Sequence, residues 1–313
     1  MSISNEETPV TISIPERKTE GPWITAIRRL FRHRSGIAGM VILGFLALTA
    51  AFAPIIAPYD PNEVLIGKEP VKKRQDPCIH LLGCPADQPQ HIMGIDGNFR
   101  DEFSRIIYGT RISLFIGFFT IGLAIIIGTL LGTIAGYKGG WLGNVIMRTM
   151  DVLMAFPFLL LAIAIVAVLG PGLMNAMFAI AIVSIPTYAR VIRSSVLSIR
   201  EEEYVTAAEA LGVRQKRILF HHVLPNAFPP LIVLATLGIG TAILETAGLS
   251  FLGLGAQPPT PEWGSMLASE RNQVFSAPHL VFFPGLAIML TVLGFNLLGD
   301  GLRDALDPRL RIG

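Results

Sequence analysis

Residues Ile112–Ala135 read ISLFIGFFTIGLAIIIGTLLGTIA, 24 positions without a charge. About 20 apolar residues in a helix cross the ~30 Å hydrocarbon core of a bilayer. Backbone donors and acceptors in lipid have no water to bond, so such a run predicts a helix rather than an isolated strand. Five further runs flank it: Ile37–Ile56, Val152–Leu169, Leu173–Ala189, Leu231–Leu252 and Leu280–Leu298. Glu245 is the only charged residue in any of them. The composition agrees: 51% of the residues are hydrophobic, 15% are charged, and the mean hydropathy is +0.56. Ordinary soluble domains carry about a quarter charged residues. A cytosolic enzyme, a nucleic-acid binder and a disordered scaffold are excluded, and two cysteines in 313 residues exclude a disulfide scaffold.

Six spans put both chain ends on one side, and the distribution of Lys and Arg chooses the side. With the N-terminus inside, 17 basic residues face the cytoplasm and 8 the exterior. Seven of those 8 fall in residues 57–111, a long segment that also carries 8 carboxylates and weighs little in the rule. Arg28, Arg29, Arg32 and Arg34 stand just before the first run. The expected organisation is a cytoplasmic tail over 1–36, whose first 20 residues are polar, without periodicity and read as disordered. A first membrane helix over 37–56 and an extracytoplasmic loop over 57–111 follow. A five-helix domain over 112–300 and a cytoplasmic tail over 301–313 complete it. The first run exceeds a signal-peptide core of 7–15 residues and follows 36 others, so it is read as a retained span. Gly128, Gly132 and Gly136 recur every four residues on one helix face, which suits close helix packing. Pro157, Pro186 and Pro284 can bend the helices that contain them.

The long inner loop, 190–230, carries the functional signal. Two helix-like stretches are broken at Gly212, where a left-handed cap costs little. Glu201, Glu202 and Glu203 start the first stretch, at the helix end that favours negative charge. Arg214, Lys216 and Arg217 follow the break. A short amphipathic helix projecting from a membrane bundle is shaped to dock in another protein's groove. Pro225, Pro229 and Pro230 are expected to reset the chain ahead of the fifth span.

This loop resembles the coupling loop of ATP-binding-cassette importer permeases, Glu-Ala-Ala, three residues, Gly, nine residues, Ile, one residue, Leu-Pro. Thr206-Ala207-Ala208, Gly212, His222 and Leu224-Pro225 hold that spacing, with Thr206 in place of Glu and His222 in place of Ile. Leu249–Gly264 (LSFLGLGAQPPTPEWG) and Gly299–Pro308 (GDGLRDALDP) resemble the loop after the fifth span and the C-terminal ending of dipeptide and glutathione permeases. His91–Asp101 (HIMGIDGNFRD), with Ser104-Arg105 and Gly109-Thr110-Arg111, resembles their His-x-Leu-Gly-Thr-Asp-x-x-Gly-Arg-Asp segment. Ile95 stands there for Thr and Phe99 for Gly, which predicts a less strained backbone at 99.

The resemblance spans residues 25–313 and matches the second of two permease subunits. It implies an all-α membrane fold of type I importer permeases with six helices, N-in and C-in. It also implies a heterodimer with a homologous permease, two ATP-binding subunits that use ATP and Mg, and an extracytoplasmic solute-binding protein. The coupling residues would be Glu203, Thr206, Ala207, Ala208, Gly212, Leu224 and Pro225. No Gly-x-x-x-x-Gly-Lys-Ser/Thr loop occurs in the chain, so ATP hydrolysis is expected from the partners, and this chain is expected to bind no cofactor or metal. Membrane lipid is the remaining partner, and nucleic acid is not one. Dipeptides, oligopeptides, glutathione, nickel chelates and oligosaccharides all remain open as cargo.

Three features stand beside the motif. Glu245 reads either as a wall of the translocation path or as a structural partner of backbone or hydroxyl groups. Cys78 and Cys84, in the outer loop near His80 and His91, read as a disulfide, as free thiols or as a metal site. His221 and His222 read as interface or solvated residues rather than ligands, and Arg190 and Arg193 as facing lipid headgroups or the ATPase. An ion-coupled secondary transporter would call for several buried charges or broken helices, and only Glu245 qualifies. An intramembrane enzyme would need a nucleophile and base within the spans, and none is present at helical spacing.

Overall fold

A computed structural model describes residues 28–306; the polar stretch over 1–20 lies outside the described residues, as does the end of the chain from 307. The described chain is helical, with isolated bridges in place of strands. Helix α1 is Arg34–Ala51, α2 Glu102–Tyr137, α3 Gly140–Met154, α4 Phe158–Leu169 and α5 Leu173–Arg200. Then come α6 Glu203–Ala210, α7 Gln215–Ile218, α8 Leu224–Phe251, α9 Trp263–Glu270 and α10 His279–Leu306. Among the described residues, five helices are long and apolar enough to cross a membrane, α7 and α8 counting as one through a π turn over Leu219–Val223. The bent pair α3–α4 makes a sixth if its two arms form one span.

That pair divides the run Val152–Leu169, read as one span, at the proline expected to bend it. Pro157 occupies the N-cap of α4 in an extended conformation, ψ 127°. The residue before a proline is driven out of the helical region, so the chain breaks over Ala155–Pro157 and turns by 94°. The 12 residues of α4 rise about 18 Å, too short to cross alone. The expected inner loop 136–151 is instead largely the helix α3.

The prolines before the fifth span also behave differently from expectation. Pro225 lies in the first turn of α8, where backbone donors lack acceptors anyway. Pro229 and Pro230 lie inside the helix rather than ahead of it, each omitting one backbone bond. At the other end, α10 runs on to Leu306, so residues 301–306 extend the last helix.

The core forms where α2 and α5 cross. A Cβ at Gly132 would stand 2.3 Å from the Ala189 carbonyl oxygen, so the backbones meet there and only glycine fits. Ala176, Ile180, Ala189, Ile192 and Val196 fill the interior face of α5. Helix α8 closes this core, and α10 packs on α8. Helix α1 lies outermost against α10, with Arg111 bonding the carbonyls of Ala50 and Ala51. Val41 and Phe45 are exposed at 65% and 68%, as suits an outer face turned to lipid.

Candidate coupling loop, outer cap and membrane cavity

Helix α6 projects from the inner end of α5. Val205 and Ala208 are buried beside Ile218 and Val223, while Glu203, Thr206, Ala207 and Ala210 are exposed. The helix ends as the sequence suggests. Gly212 has φ +75°, the Gly212 N–H donates to the Glu209 carbonyl at 2.9 Å, and the Val213 N–H donates to the Ala208 carbonyl at 3.1 Å. These two bonds define a Schellman cap, which satisfies carbonyls the helix end would leave free. Leu211, 84% exposed, extends the apolar outer surface beside the cap.

The loop is fastened to the bundle at both ends by residues that the motif does not include. The Tyr137 hydroxyl bonds Gln215, whose side chain donates to Glu209 at 3.2 Å. Arg200 donates to the Tyr137 carbonyl at 3.0 Å and stands over its ring. Asn226 donates to the His222 carbonyl at 2.7 Å and to the Tyr204 hydroxyl at 3.2 Å, covering a carbonyl in the π turn. Leu224 and Pro225 open α8 at this junction, about 13 residues from Gly212, so they support the docking helix rather than form its outer face. Thr206 carries an exposed hydroxyl, with the Glu202 carbonyl 3.4 Å away.

On the opposite side, residues 57–101 fold into a cap rich in buried charge, and residues 102–111, expected in the outer loop, already form the first turns of α2. Asp101 caps α2, accepting from the Ser104 N–H at 2.8 Å, and stands 2.9 Å from Nδ1 of buried His91. Asp96 accepts from the Asn98 and Arg100 N–H groups at 2.7 and 2.9 Å and from Arg100 Nε at 2.7 Å. This turn holds Phe99 at φ +60°, contrary to the expected relaxed backbone. The Leu65 N–H bonds the Phe99 carbonyl at 2.9 Å, so the surroundings impose a conformation that costs on the order of 1 kcal/mol or more. Arg74 bonds Glu270 at 2.7 Å and the Gly97 N–H bonds the same carboxylate at 3.0 Å, fastening the cap to α9. Burial and the neighbouring Glu69 push the Tyr59 hydroxyl up to about 12, so it remains a donor to Glu69. Cys78 and Cys84 are bonded, with Cα atoms 5.4 Å apart. His91 is committed to Asp101, and His80 stands 2.8 Å from the Gln88 carbonyl.

Between these ends, Glu245 of α8 lines a half-open cavity of about 250 Å³ bounded by α2, α4, α5 and α8. Ser184, Thr187, Tyr188 and Thr241 share the lining. The lining residues bring no Lys, Arg or His to the carboxylate.

Residues 128–312 match the family described as binding-protein-dependent transport system inner membrane component. Residues 21–77 match the N-terminal TM domain of oligopeptide transport permease C. The chain belongs to the binding-protein-dependent permease family. It is 51% identical to the dipeptide transport system permease protein DppC of Alkalihalophilus pseudofirmus, over 93% of this chain and 91% of that one. The glutathione transport system permease protein GsiD of Pectobacterium atrosepticum is 43% identical, over 95% of each chain. The di/tripeptide transport system permease protein DppC of Pseudomonas aeruginosa is 47% identical, over 90% of each. The fold is that of a chain from the MetNI methionine ABC transporter in an inward-facing conformation, with TM-score 0.54, 19% identity, and 65% of this chain and 96% of that chain covered. This permease is thus a multi-pass membrane protein of the importer class, and the family implies ATPase and substrate-binding partners.

Proposed function

We propose that this permease forms half of the translocation path for short peptides and pairs with a homologous permease to complete it. Helix α6 docks in a groove of a partner ATPase, two of which hydrolyse ATP with Mg for the complex. This chain binds no nucleotide and catalyses no reaction. An extracytoplasmic binding protein delivers the cargo to the outer cap. The observation that carries the reading is the exposed α6, whose Schellman cap and ties to Tyr137, Arg200 and Asn226 hold it at one angle to the bundle. A rigid lever of this kind converts movement at the ATPase into movement of α5 and α8. Glu203, Thr206 and Ala207 form the contact face, Ala208 and Gly212 set the helix and its end, and Leu224 and Pro225 anchor the return.

Relatives at 43–51% identity carry names for dipeptide, di/tripeptide and glutathione transport, all small peptides, and this favours peptide cargo over nickel chelates or oligosaccharides. Glu245 faces the pathway and Cys78–Cys84 braces the outer cap. Co-expression with the partner permease and two ATPases tests the reading. Affinity capture of this chain should retain all three, and loaded binding protein should accelerate hydrolysis. A chain that co-purifies with no ATPase would overturn it.

A further inference from the structure

Successive residues on one face of a membrane helix recur every three or four positions. On α8 the cavity-lining face runs Leu234, Gly238, Thr241 and Glu245, and on α5 it runs Ser184, Thr187 and Tyr188. Two apolar spans therefore set short polar stripes, Thr241 and Glu245 on α8 and Ser184, Thr187 and Tyr188 on α5, in an otherwise apolar lining. Lipid gives no reason for such stripes, whereas a water-filled passage does. Glu245 lies seven positions, about 10 Å, inside the outer end of the apolar run that ends at Leu252.

The donors and acceptors around the cavity define its ligand. One carboxylate and four hydroxyls offer oxygen acceptors, and Glu245 is the only charged residue in the lining. The nearest arginine along α5, Arg190, is held 2.9 Å from Asp151 of α3. A divalent metal ion takes six to eight oxygens with more than one carboxylate in tight sites, which this lining does not supply. A primary ammonium, with three donors and one positive charge, matches a carboxylate and neighbouring hydroxyls. The volume of about 250 Å³ lies below the usual range for a whole bound ligand, ~300 Å³ and up, and so suits one end of an extended molecule.

We infer that Glu245, with the hydroxyls of Tyr188, Thr187 and Thr241, forms a transient site inside the membrane for the primary ammonium group of the passing substrate. The inference rests on the proposed peptide path and assigns its charge selectivity. The largely apolar lining strengthens the attraction of the Glu245 carboxylate for a cation and its repulsion of another carboxylate. The site draws the amino end of a peptide out of the outer vestibule and makes it lead.

Thiol chemistry tests this in the assembled complex. Cys78 and Cys84 are bonded, so Thr241→Cys on α8 or Thr187→Cys on α5 introduces the one reactive thiol of this chain. The complex, in lipid nanodiscs with ATP and binding protein loaded with Ala-Ala, is treated with 2-aminoethyl or 2-sulfonatoethyl methanethiosulfonate. Modification of this chain is followed by mass spectrometry. The expected result is a cation-over-anion rate ratio, normalised to that of a small free thiol in solution, of about tenfold or more at either cysteine, falling toward one when Glu245→Gln is added. A ratio near one with Glu245 present, with labelling still dependent on ATP, overturns the ammonium site and leaves the path intact. Absence of labelling at both cysteines in every state removes this cavity from the path and takes the site with it. Loss of the partner permease from the Glu245→Gln complex would show that a partner cation occupies the carboxylate, and that result also overturns the site.

Discussion

Replacing Gly212 by valine isolates the cap of α6 from everything else in the loop. A Cβ at Gly212 meets no atom within 4 Å, so no clash enters and the cost is the backbone alone. An L-residue in the left-handed region loses about 1–2 kcal/mol, and β-branching puts valine at the upper end. Relief of that strain requires breaking the 2.9 and 3.1 Å cap bonds, each contributing about 1 kcal/mol. The two quantities are comparable, so the capped loop should fall from dominant to a minor or equal population. Asparagine, which tolerates this region, should cost the least, alanine more and valine most. The spans keep their own backbone bonds, so membrane abundance and pairing with the second permease should persist. The assay measures ATPase capture and hydrolysis stimulated by loaded binding protein across Gly212→Asn, Gly212→Ala and Gly212→Val. The predicted order is a graded loss, with valine down about fivefold or more. Full transport by Gly212→Val, or equal losses from Asn and Val, would refute the cap as the coupling element.

Thr206→Ala should reduce stimulation far less than Gly212→Val, because Thr206 adds only an exposed hydroxyl to the contact face. A membrane-impermeant maleimide should label neither Cys78 nor Cys84 in spheroplasts until a reductant is added, and then both; labelling without reductant would show free thiols. Gly132→Val should lower membrane abundance and thermal stability by about 2–3 kcal/mol, since its Cβ would fall 2.3 Å from a backbone oxygen, whereas Gly122→Val, with nothing within 4 Å, should be tolerated. Arg74→Ala strands the mostly buried Glu270 carboxylate with only the Gly97 N–H. Hydrogen exchange over 66–100 should rise, with a local cost of about 2–3 kcal/mol, while α5 and α8 stay protected.

The apolar runs and the turn at Gly212 were legible because each reflects a local rule, lipid burial for the runs and a left-handed residue for the turn. The break at Pro157 was partly legible: the proline was visible, but apolar residues on both sides concealed a 94° turn that depends on how α3 packs. The place of Pro229 and Pro230 inside α8 was not legible, because whether a membrane helix runs through a proline depends on the packing around it rather than on the proline itself. The Asp96 turn misled in the opposite sense. Phe99 seemed to exclude the left-handed region, yet side-chain and backbone bonds from both neighbours hold it there. Tyr137 and Gln215 lie 78 positions apart, and no spacing rule links them to the docking helix. The cavity around Glu245 likewise draws on four helices, so the charge was visible in the sequence and its company was not.

Dipeptide accumulation in sealed proteoliposomes tests the central claim most directly. Vesicles carry this permease with its partner permease and two ATPases, ATP on the ATPase side, and binding protein loaded with radiolabelled Ala-Ala on the other. The account predicts accumulation against a gradient that requires ATP and all four subunits, and no hydrolysis by this chain alone. Uptake by this chain alone, driven by a proton or sodium gradient without ATP, would contradict it.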